Sequence, residues 1–422
     1  FCDTNMKLRS VCYRSFKPPT PLCSGLRQHK ISLSRTHLSN HLTNRRSFSS
    51  EDFFAKLTKN LPVEIKQTTD KGRGLFSLKN FEEEERIFEE SPITVVPVSN
   101  EHCSNCLNDI SSTAFLLPSG EKIRLRKHTK LPEWTNKLKR VRDTAVGCHV
   151  CRIERFCSKE CESEGFQTFH QHLCPVSKHQ NSAVLVELNK LCKETNTNTP
   201  IMVARLFAKV LSESGTNPST LQGPTWEFLQ QLERIDTSRL QNIPTIEKEF
   251  LLLKKVFPTE LFTKQLFEDL RAVCMVNHAE LLVETIFVET PSSEGFEISS
   301  SPAVAASIFA QPFSKKEQPK EFTTVPEHIG YGDIFPRVGV FMNHSCVPNV
   351  EIQATHNAKT IEWVALRPIQ AGDELTIAYV SPLLTAYERR NILLHYYGFV
   401  CECEACIEEL QQNPFPEEIM PV

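Results

Sequence analysis

Three polar segments in the carboxyl-terminal third of the chain combine residues suited to catalysis with ligands suited to zinc. They are Asn343–Asn349, Gly372–Tyr379 and Cys401–Cys406. A structural zinc ion takes four nitrogen or sulfur ligands in a tetrahedron, and Cys401, Cys403 and Cys406 supply only three. Cys346, which lies 55 residues before Cys401, is the predicted fourth ligand. One ion would therefore tie the polar loop to the carboxyl-terminal segment, beside Tyr379.

Eight further residues have spacings that predict two more zinc ions. They form four successive pairs: Cys103 and Cys106, Cys148 and Cys151, Cys157 and Cys161, His170 and Cys174. We expect the first and third pairs to share one ion and the second and fourth pairs to share the other. His172 is the alternative imidazole, but the spacing of His170 to Cys174 fits a helical turn better. Because protein ligands fill every position, these ions are predicted to stabilise the fold or a peptide-docking surface rather than catalyse a reaction.

The composition is that of a soluble protein with two or three domains. The chain has 422 residues, of which 40% are hydrophobic,. It contains no run of about 18 uncharged apolar residues, so no transmembrane helix is predicted. Of its 16 cysteines, ten lie in close spacings such as C-x-C or C-x-x-C. This pattern indicates zinc in a reducing compartment rather than a set of disulfides.

Charge is unevenly distributed along the chain. Residues 1–48 carry nine Lys and Arg and one acidic residue, so the rest of the chain has a net charge near −11, given −3 for the whole. An acidic body suits a basic, lysine-bearing partner better than nucleic acid. Residues 1–48 are predicted to be a mitochondrial transit peptide cleaved after Phe48, or a disordered basic tail. The predicted location is mitochondrial, with cytoplasm or nucleus as the alternative.

Hydrophobic patterning predicts both strands and helices. Short strands are expected at 63–65, 75–77 and 93–96, around a glycine turn at 70–74. Helical periodicity extends over 183–283, and short apolar alternation typical of strands returns over 338–380. Residues 291–326 are rich in Ser, Glu, Pro and Lys, which favours a flexible insertion loop,.

Taken in chain order, these motifs resemble the SET and MYND domain (Smyd) family of lysine methyltransferases. The resemblance covers roughly residues 60–408 and is carried by the segments 71–76, 103–174, 343–346, 372–379 and 401–406. Within this family, the chain is similar to the branch that has an insertion in the MYND finger and lacks a C-terminal helical-repeat domain. The implied fold class is α+β: a split SET domain of short β-sheets with an inserted MYND zinc finger, a helical SET insertion and a cysteine-rich post-SET zinc site.

The resemblance also implies domain boundaries. After the tail 1–48, the N-terminal SET part spans 60–102, the MYND-type finger 103–174 with its insertion 107–147, the helical SET insertion 183–275, the SET core 276–380 and the post-SET segment 381–410.

The activity implied by the resemblance is methyl transfer from S-adenosylmethionine to a protein lysine, with three zinc ions in the protein. The implied catalytic residues are Tyr379, which orients the methyl group and the amine, and Tyr397, which lines the lysine channel. The implied cofactor-binding residues are Lys71, Gly72, Arg73, Gly74, Asn189, Asn277, Asn343, His344, Tyr379 and Phe399.

Some of these residues have a simpler interpretation. Asn189 and Asn277 lie in helical contexts, where a solvated or capping asparagine is common. His344 is expected to act through its backbone, and Asp373 and Glu374 are expected to hold a turn and a surface because adjacent strand residues face opposite ways.

The predicted partner is a lysine-containing protein, histone or non-histone, with proline-containing peptides as further partners of the finger. The alternative function is a catalytically inactive, zinc-dependent adaptor that binds peptides through the finger.

Overall fold

The computed structural model describes residues 50–69, 71–108, 110, 113–116, 122–126, 139–141, 145–176, 182–216, 218–289, 296–299, 323–354 and 359–412. The predicted transit peptide or tail, 1–48, lies outside the described residues. The predicted α+β class is confirmed, because the described residues form helices and several small sheets.

The strands form four sheets. Their bounds are β1 Val63–Gln67, β2 Arg73–Ser77, β3 Arg86–Glu90, β4 Thr94–Pro97, β5 Thr113–Leu116, β6 Lys122–Arg126, β7 Lys139–Val141, β8 Val146–Gly147, β9 Arg155–Phe156, β10 Ala279–Glu289, β11 Phe296–Ser299, β12 Thr323–Phe335, β13 Asn343–His344, β14 Val350–Ala354, β15 Ile361–Ala365 and β16 Glu374–Ile377. The strand orders are β1-β2-β16-β13, β14-β15-β3, β4-β12-β10-β11-β6-β5-β7 and β8-β9.

The helices are concentrated in the middle of the chain. They are α1 Ser50–Leu57, α2 Lys159–Gly165, α3 Gln171–Leu173, α4 Ser182–Thr195, α5 Thr199–Ser214, α6 Pro224–Leu229, α7 Ile246–Val256, α8 Lys264–Asn277, α9 Ala386–Ile392 and α10 Glu404–Gln412. A π-helical turn, Phe166–His170, joins α2 to α3, and another, Leu393–Tyr397, follows α9.

Helix α5 is the centre of the helical block. Pro200 stands in its first turn, where the missing N–H costs nothing, and Gly215 follows its last residue with a φ of 89°,. Most of its side chains are buried, including Leu206 and Phe207. The helix contacts α4, α6, α8, strand β4 and the first π-helical turn, so it joins the block to both the finger and the sheets.

The four-stranded sheet brings distant segments together. Strand β16 pairs in parallel with β13, with Asn343 opposite Thr376, and antiparallel with β2, with Leu75 opposite Leu375. Because β16 lies between the other two strands, the glycine turn before β2, the polar loop at β13 and the Gly372–Tyr379 segment meet at one place.

Two sequence predictions need correction. Helical periodicity was expected to continue to residue 283, but α8 ends at Asn277 and β10 begins at Ala279. The segment 291–326 was expected to be a loop, but it contains β11 and the start of β12. Strand β11 pairs with β6 of the insertion 107–147, with Ile298 opposite Leu125. Neither segment shows this pairing locally, because each strand depends on a partner far away in the sequence.

Candidate active site

The glycine turn is shaped by the chain's own packing. Gly72 has a φ of 79°, a conformation that side chains other than glycine rarely adopt, and its carbonyl accepts hydrogen bonds from the backbone N–H and hydroxyl of Thr68,. A Cβ on Gly74 would lie 2.9 Å from Glu374 Oε1 and 3.1 Å from Asn343 Nδ2. The backbone conformation therefore favours glycine at 72, and a larger residue at 74 would have to displace the side chains of Glu374 and Asn343.

Glu374 links the glycine turn to the polar loop. Its carboxylate accepts a hydrogen bond from Asn343 Nδ2 at 2.7 Å and forms an ion pair with Lys71 Nζ at 3.0 Å. Asn343 Nδ2 also donates to the carbonyl of Arg73 at 3.2 Å. The expectation that Glu374 serves only a surface was wrong, since its side chain is 19% exposed and lies among three predicted cofactor residues. Asp373 matches its expectation and accepts from Gln370 N in the turn.

Arg73 is held on the inner side of this group. Its guanidinium pairs with Glu233 at 2.9 Å and lies over the rings of Phe54, at 4.9 Å, and Phe341, at 5.8 Å,. Asn277 is buried and donates to the carbonyl of Glu233 at 2.8 Å. Asn277 therefore reaches the site through Glu233, a residue that no local motif indicated.

Asn189 has a different environment. It is exposed on α4, and its amide donates to the carbonyl of Leu185 in the preceding turn at 3.0 Å. Among the described residues this is its one side-chain hydrogen bond, which fits the simpler interpretation of a solvated helix asparagine. Its role at a cofactor stays a prediction.

Tyr379 lies at the centre of an aromatic cluster, two residues after the end of β16. Its ring centroid is 4.9 Å from that of Tyr397, 5.3 Å from His344 and 6.3 Å from Phe399. Its hydroxyl donates to the carbonyl of Met342 at 2.7 Å. Because the hydroxyl hydrogen of Tyr379 points at the carbonyl of Met342, the lone pairs of its oxygen point in other directions,.

His344 connects the aromatic cluster to the cysteines. Its Nδ1 accepts the backbone N–H of Tyr379 at 2.9 Å, so the ring hydrogen is on Nε2, which lies 3.3 Å from Cys346 Sγ,. A positional role was expected through the backbone. The structure instead gives the side chain this role, because the buried ring spans Tyr379 and Cys346.

The structure brings the predicted metal ligands together in three groups. Within each group the ligand atoms lie within 4.8 Å of one another. The groups are Cys103, Cys106, Cys157 and Cys161; Cys148, Cys151, His170 and Cys174; and Cys346, Cys401, Cys403 and Cys406, which we call the clamp. His170 rather than His172 joins the second group, with Nε2 3.4 Å from Cys151 Sγ.

The donor chemistry of the clamp fits a divalent cation. Contact with Cys401 and Cys403 raises the pKa of Cys346, whereas hydrogen bonds from Cys346 and Cys401 lower the pKa of Cys403. Four adjacent thiols therefore cannot all ionise by themselves. A zinc ion would allow all four to be thiolates and would leave no open coordination position.

Arg205 joins the segment 103–174 to β4 and to the helical block. It is buried on α5, and its guanidinium donates to the carbonyls of Val95 and Ser104, each at 2.6 Å, and pairs with Glu154 at 3.1 Å. It also lies 4.3 Å from the ring centroid of Phe169. One side chain thus fixes β4 and three parts of the segment 103–174 to the helical block.

Glu90 holds the segment that leads into the polar loop. Its buried carboxylate accepts hydrogen bonds from the backbone N–H groups of Arg337, Val338 and Gly339 and from the indole of Trp363, at 2.6–3.0 Å. Burial raises the pKa of Glu90, and these donors oppose that effect. The acidic run around residues 82–85 gave no signal that the next acid would be buried.

We expect Glu90→Gln to lower the free energy of unfolding by about 1–3 kcal/mol, because one oxygen becomes an amide that cannot accept from its N–H partners. Urea denaturation measures this change. Glu89→Gln is the matched control, since Glu89 is exposed and pairs only with Arg86 among the described residues, and its loss should cost less than about 0.5 kcal/mol. Equal effects in the two variants would contradict the assignment.

Comparison with known proteins identifies the class. The model of the SET domain family matches residues 72–380, which is more than half of the chain. The chain therefore belongs to the SET domain family, and the resemblance to lysine methyltransferases of the SET and MYND type is confirmed.

Several relatives are methyltransferases. Protein-lysine N-trimethyltransferase SMYD5 of Danio rerio is 24% identical over 389 residues, which cover 82% of this chain and 87% of the relative. The human SMYD5 is also 24% identical, covering 81% of this chain and 85% of the relative. Histone-lysine N-methyltransferase SET5 of Scheffersomyces stipitis is 22% identical, covering 83% and 64%. A solved SET domain of LSMT, bound to lysine and AdoHcy, matches with a TM-score of 0.31 and 11% identity, covering 83% of this chain and 57% of that one.

Within the part of the chain that the structure describes, none of the helices combines the length and the apolar character of a membrane span.

Proposed function

We propose that this protein-lysine methyltransferase transfers a methyl group from S-adenosylmethionine to the side-chain amine of a lysine in a protein substrate. The observation that carries the proposal is the convergence on β2, β16 and β13 of the glycine turn, Asn343 and the segment ending at Tyr379.

The residues suited to holding S-adenosylmethionine are Lys71, Arg73, Asn343, His344 and Phe399. The cofactor supplies an electrophilic methyl group on a positively charged sulfur. Lys71 and Arg73 are already paired with Glu374 and Glu233, so both cations are partly neutralised before any cofactor binds. This charge balance suits a ligand that carries a sulfonium and an ammonium as well as a carboxylate.

The aromatic cluster suits the acceptor. Rings of Tyr379, Tyr397 and Phe399 admit the alkyl stem of lysine and exclude water, which lowers the pKa of the amine and leaves it neutral. The nitrogen of the lysine amine forms a bond to the methyl carbon as the carbon–sulfur bond breaks. The surplus proton of the product amine passes to water. The hydroxyl of Tyr379 donates its hydrogen bond to the carbonyl of Met342, and the lone pairs of its oxygen would stabilise the positive charge on the sulfonium.

The test is incubation of the full chain with methyl-labelled S-adenosylmethionine and lysine-rich proteins, with histones and ribosomal proteins as separate samples. Label on lysine, found by mass spectrometry, supports the proposal and distinguishes histone from non-histone substrates. The same proteins with acetylated lysines are the control. Cofactor binding without transfer to any sample would favour the inactive adaptor.

We also propose that the chain holds three zinc ions and that its finger, 103–174, binds proline-containing peptides. The three ligand groups support the first part. The peptide-binding part is supported by three exposed apolar side chains near the ligand group of Cys148, namely Val150, Ile153 and Val176. Exposed apolar side chains can contact a peptide.

The mitochondrial location is a proposal that rests on residues 1–48. We expect a version tagged at its carboxyl terminus to colocalise with mitochondria, and a version lacking residues 1–48 to lose that distribution, because the basic segment would be the targeting signal. Imaging the two side by side measures the effect. An unchanged distribution would contradict the proposal and favour cytoplasm or nucleus.

A further inference from the structure

The π-helical turn that follows α9 ends with carbonyl groups that need donors from elsewhere, because the last carbonyls of a helix lack partners within the helix. The backbone N–H of Gly398 donates to the carbonyl of Leu393 at 2.9 Å. The next two carbonyls, those of Leu394 and His395, accept hydrogen bonds from Nη1 of Arg239 at 3.1 and 3.2 Å. A side chain that is 155 residues away from Leu394 in the sequence therefore completes the end of this turn.

Charge and shape also favour Arg239 at this position. The carbonyl end of a helix carries partial negative charge, which a cation stabilises. The chain reverses at Gly398, whose φ is 80°, and a Cβ there would lie 3.3 Å from Nη1 of Arg239. The guanidinium therefore lies close to the backbone between Tyr397 and Phe399, two residues of the aromatic cluster.

The segment 233–239 contacts both sides of the candidate active site. At one end, Glu233 pairs with Arg73 at 2.9 Å, and the carbonyl of Glu233 accepts a hydrogen bond from Asn277 of α8 at 2.8 Å. At the other end, Arg239 contacts the turn that leads into the aromatic cluster. Because α8 anchors the first end independently, loss of the Arg239 side chain should leave the contact with Arg73 in place.

We propose that Arg239 is a positioning residue for methyl transfer: it fixes the turn that ends at Tyr397 and so sets the place of this ring beside Tyr379. The centroids of the two rings are 4.9 Å apart, so a small shift of the turn changes the space in which the lysine amine would meet the methyl group. Misplacement of a reacting group by about 1 Å can lower a rate by roughly 10²-fold. This inference rests on the proposed methyl transfer.

Arg239→Ala is expected to lower kcat/KM for the protein substrate by about 10- to 100-fold, with the zinc content and the affinity for S-adenosylmethionine close to those of wild type. Arg239→Lys should recover only part of the loss, because an ammonium does not reproduce the planar fork of a guanidinium. Steady-state kinetics with labelled cofactor measures both effects. Arg367→Ala is the matched control, since Arg367 is an exposed arginine that follows β15, and this variant should keep the wild-type kcat/KM.

A double-mutant cycle separates positioning from general destabilisation, because residues that act through one another give non-additive effects. If Arg239 acts through Tyr397, adding Arg239→Ala to Tyr397→Ala should lower kcat/KM little further. If the two changes instead multiply, Arg239 acts elsewhere and the proposal is overturned.

Hydrogen exchange tests the same contact without catalysis. The N–H of Gly398, which is bonded to the carbonyl of Leu393, should exchange faster in Arg239→Ala than in wild type, because the end of the turn opens more often. Faster exchange together with no transfer by wild type would refute the proposed activity and still support Arg239 as the group that orders the turn. Transfer by wild type and by Arg239→Ala with equal kcat/KM would overturn the positioning role alone.

Discussion

Tyr379→Phe is expected to lower kcat for methyl transfer by on the order of 10²-fold, with the affinity for S-adenosylmethionine nearly unchanged. The ring of phenylalanine still packs against Tyr397 and His344, so the aromatic cluster keeps its shape. The variant lacks the hydroxyl oxygen that, in the proposed mechanism, stabilises the positive charge of the sulfonium. The carbonyl of Met342 also loses its hydrogen bond, which should reduce the free energy of unfolding by about 1 kcal/mol. Single-turnover transfer to a labelled substrate measures the rate, and calorimetry measures cofactor binding.

The matched control is Tyr387→Phe, since Tyr387 lies on α9 outside the aromatic cluster. This variant should keep the wild-type kcat. An unchanged kcat in Tyr379→Phe would remove Tyr379 from the chemistry. A large fall in cofactor affinity with kcat unchanged would instead assign the residue to cofactor binding alone.

Cys346→Ser is expected to reduce the zinc content from three ions per chain to two and to abolish detectable methyl transfer. Cys346 is buried, and its sulfur lies 3.4 Å from that of Cys406 and 3.9 Å from that of Cys401. Loss of this ligand releases the carboxyl-terminal segment, and with it Tyr397 and Phe399, from the loop that carries His344. Because metal binding at a structural site contributes directly to folding, protease sensitivity after residue 380 should rise as well.

The control is Cys192→Ala. Cys192 is buried but belongs to none of the ligand groups, and burial raises the pKa of its thiol to about 12, which keeps it neutral. This variant should retain three zinc ions and wild-type activity. Metal analysis that finds three ions in Cys346→Ser would show that the clamp does not depend on Cys346.

Local sequence patterns predicted some residues of the candidate active site and missed others. The metal ligand groups and the aromatic residues were predicted from spacing and motif. Phe54 and Glu233 were missed, because they contact Arg73 from positions 19 and 160 residues away and have no motif of their own. Glu374 was assigned to the surface from strand alternation. The assignment failed because the Glu374 carboxylate meets Asn343 and Lys71, which come from other segments of the chain.

The strands in the two insertions were also missed by local sequence patterns. Segments 107–147 and 291–326 are poor in local signal, and their strands exist because they pair with each other and with β10. By contrast, α4 and α7 lie in the segment 183–283, where the apolar periodicity of the residues themselves predicted helices.

The sequence by itself determined the family, the helical block and the sets of thiols that belong together, because each of these depends on spacing between residues of a recognisable type. Only the tertiary structure decided which side chains surround Arg73 and that His344 links Tyr379 to Cys346. The physical reason is that these contacts arise where strands and loops from distant parts of the chain pack together, and packing leaves no periodic mark in a local stretch of sequence.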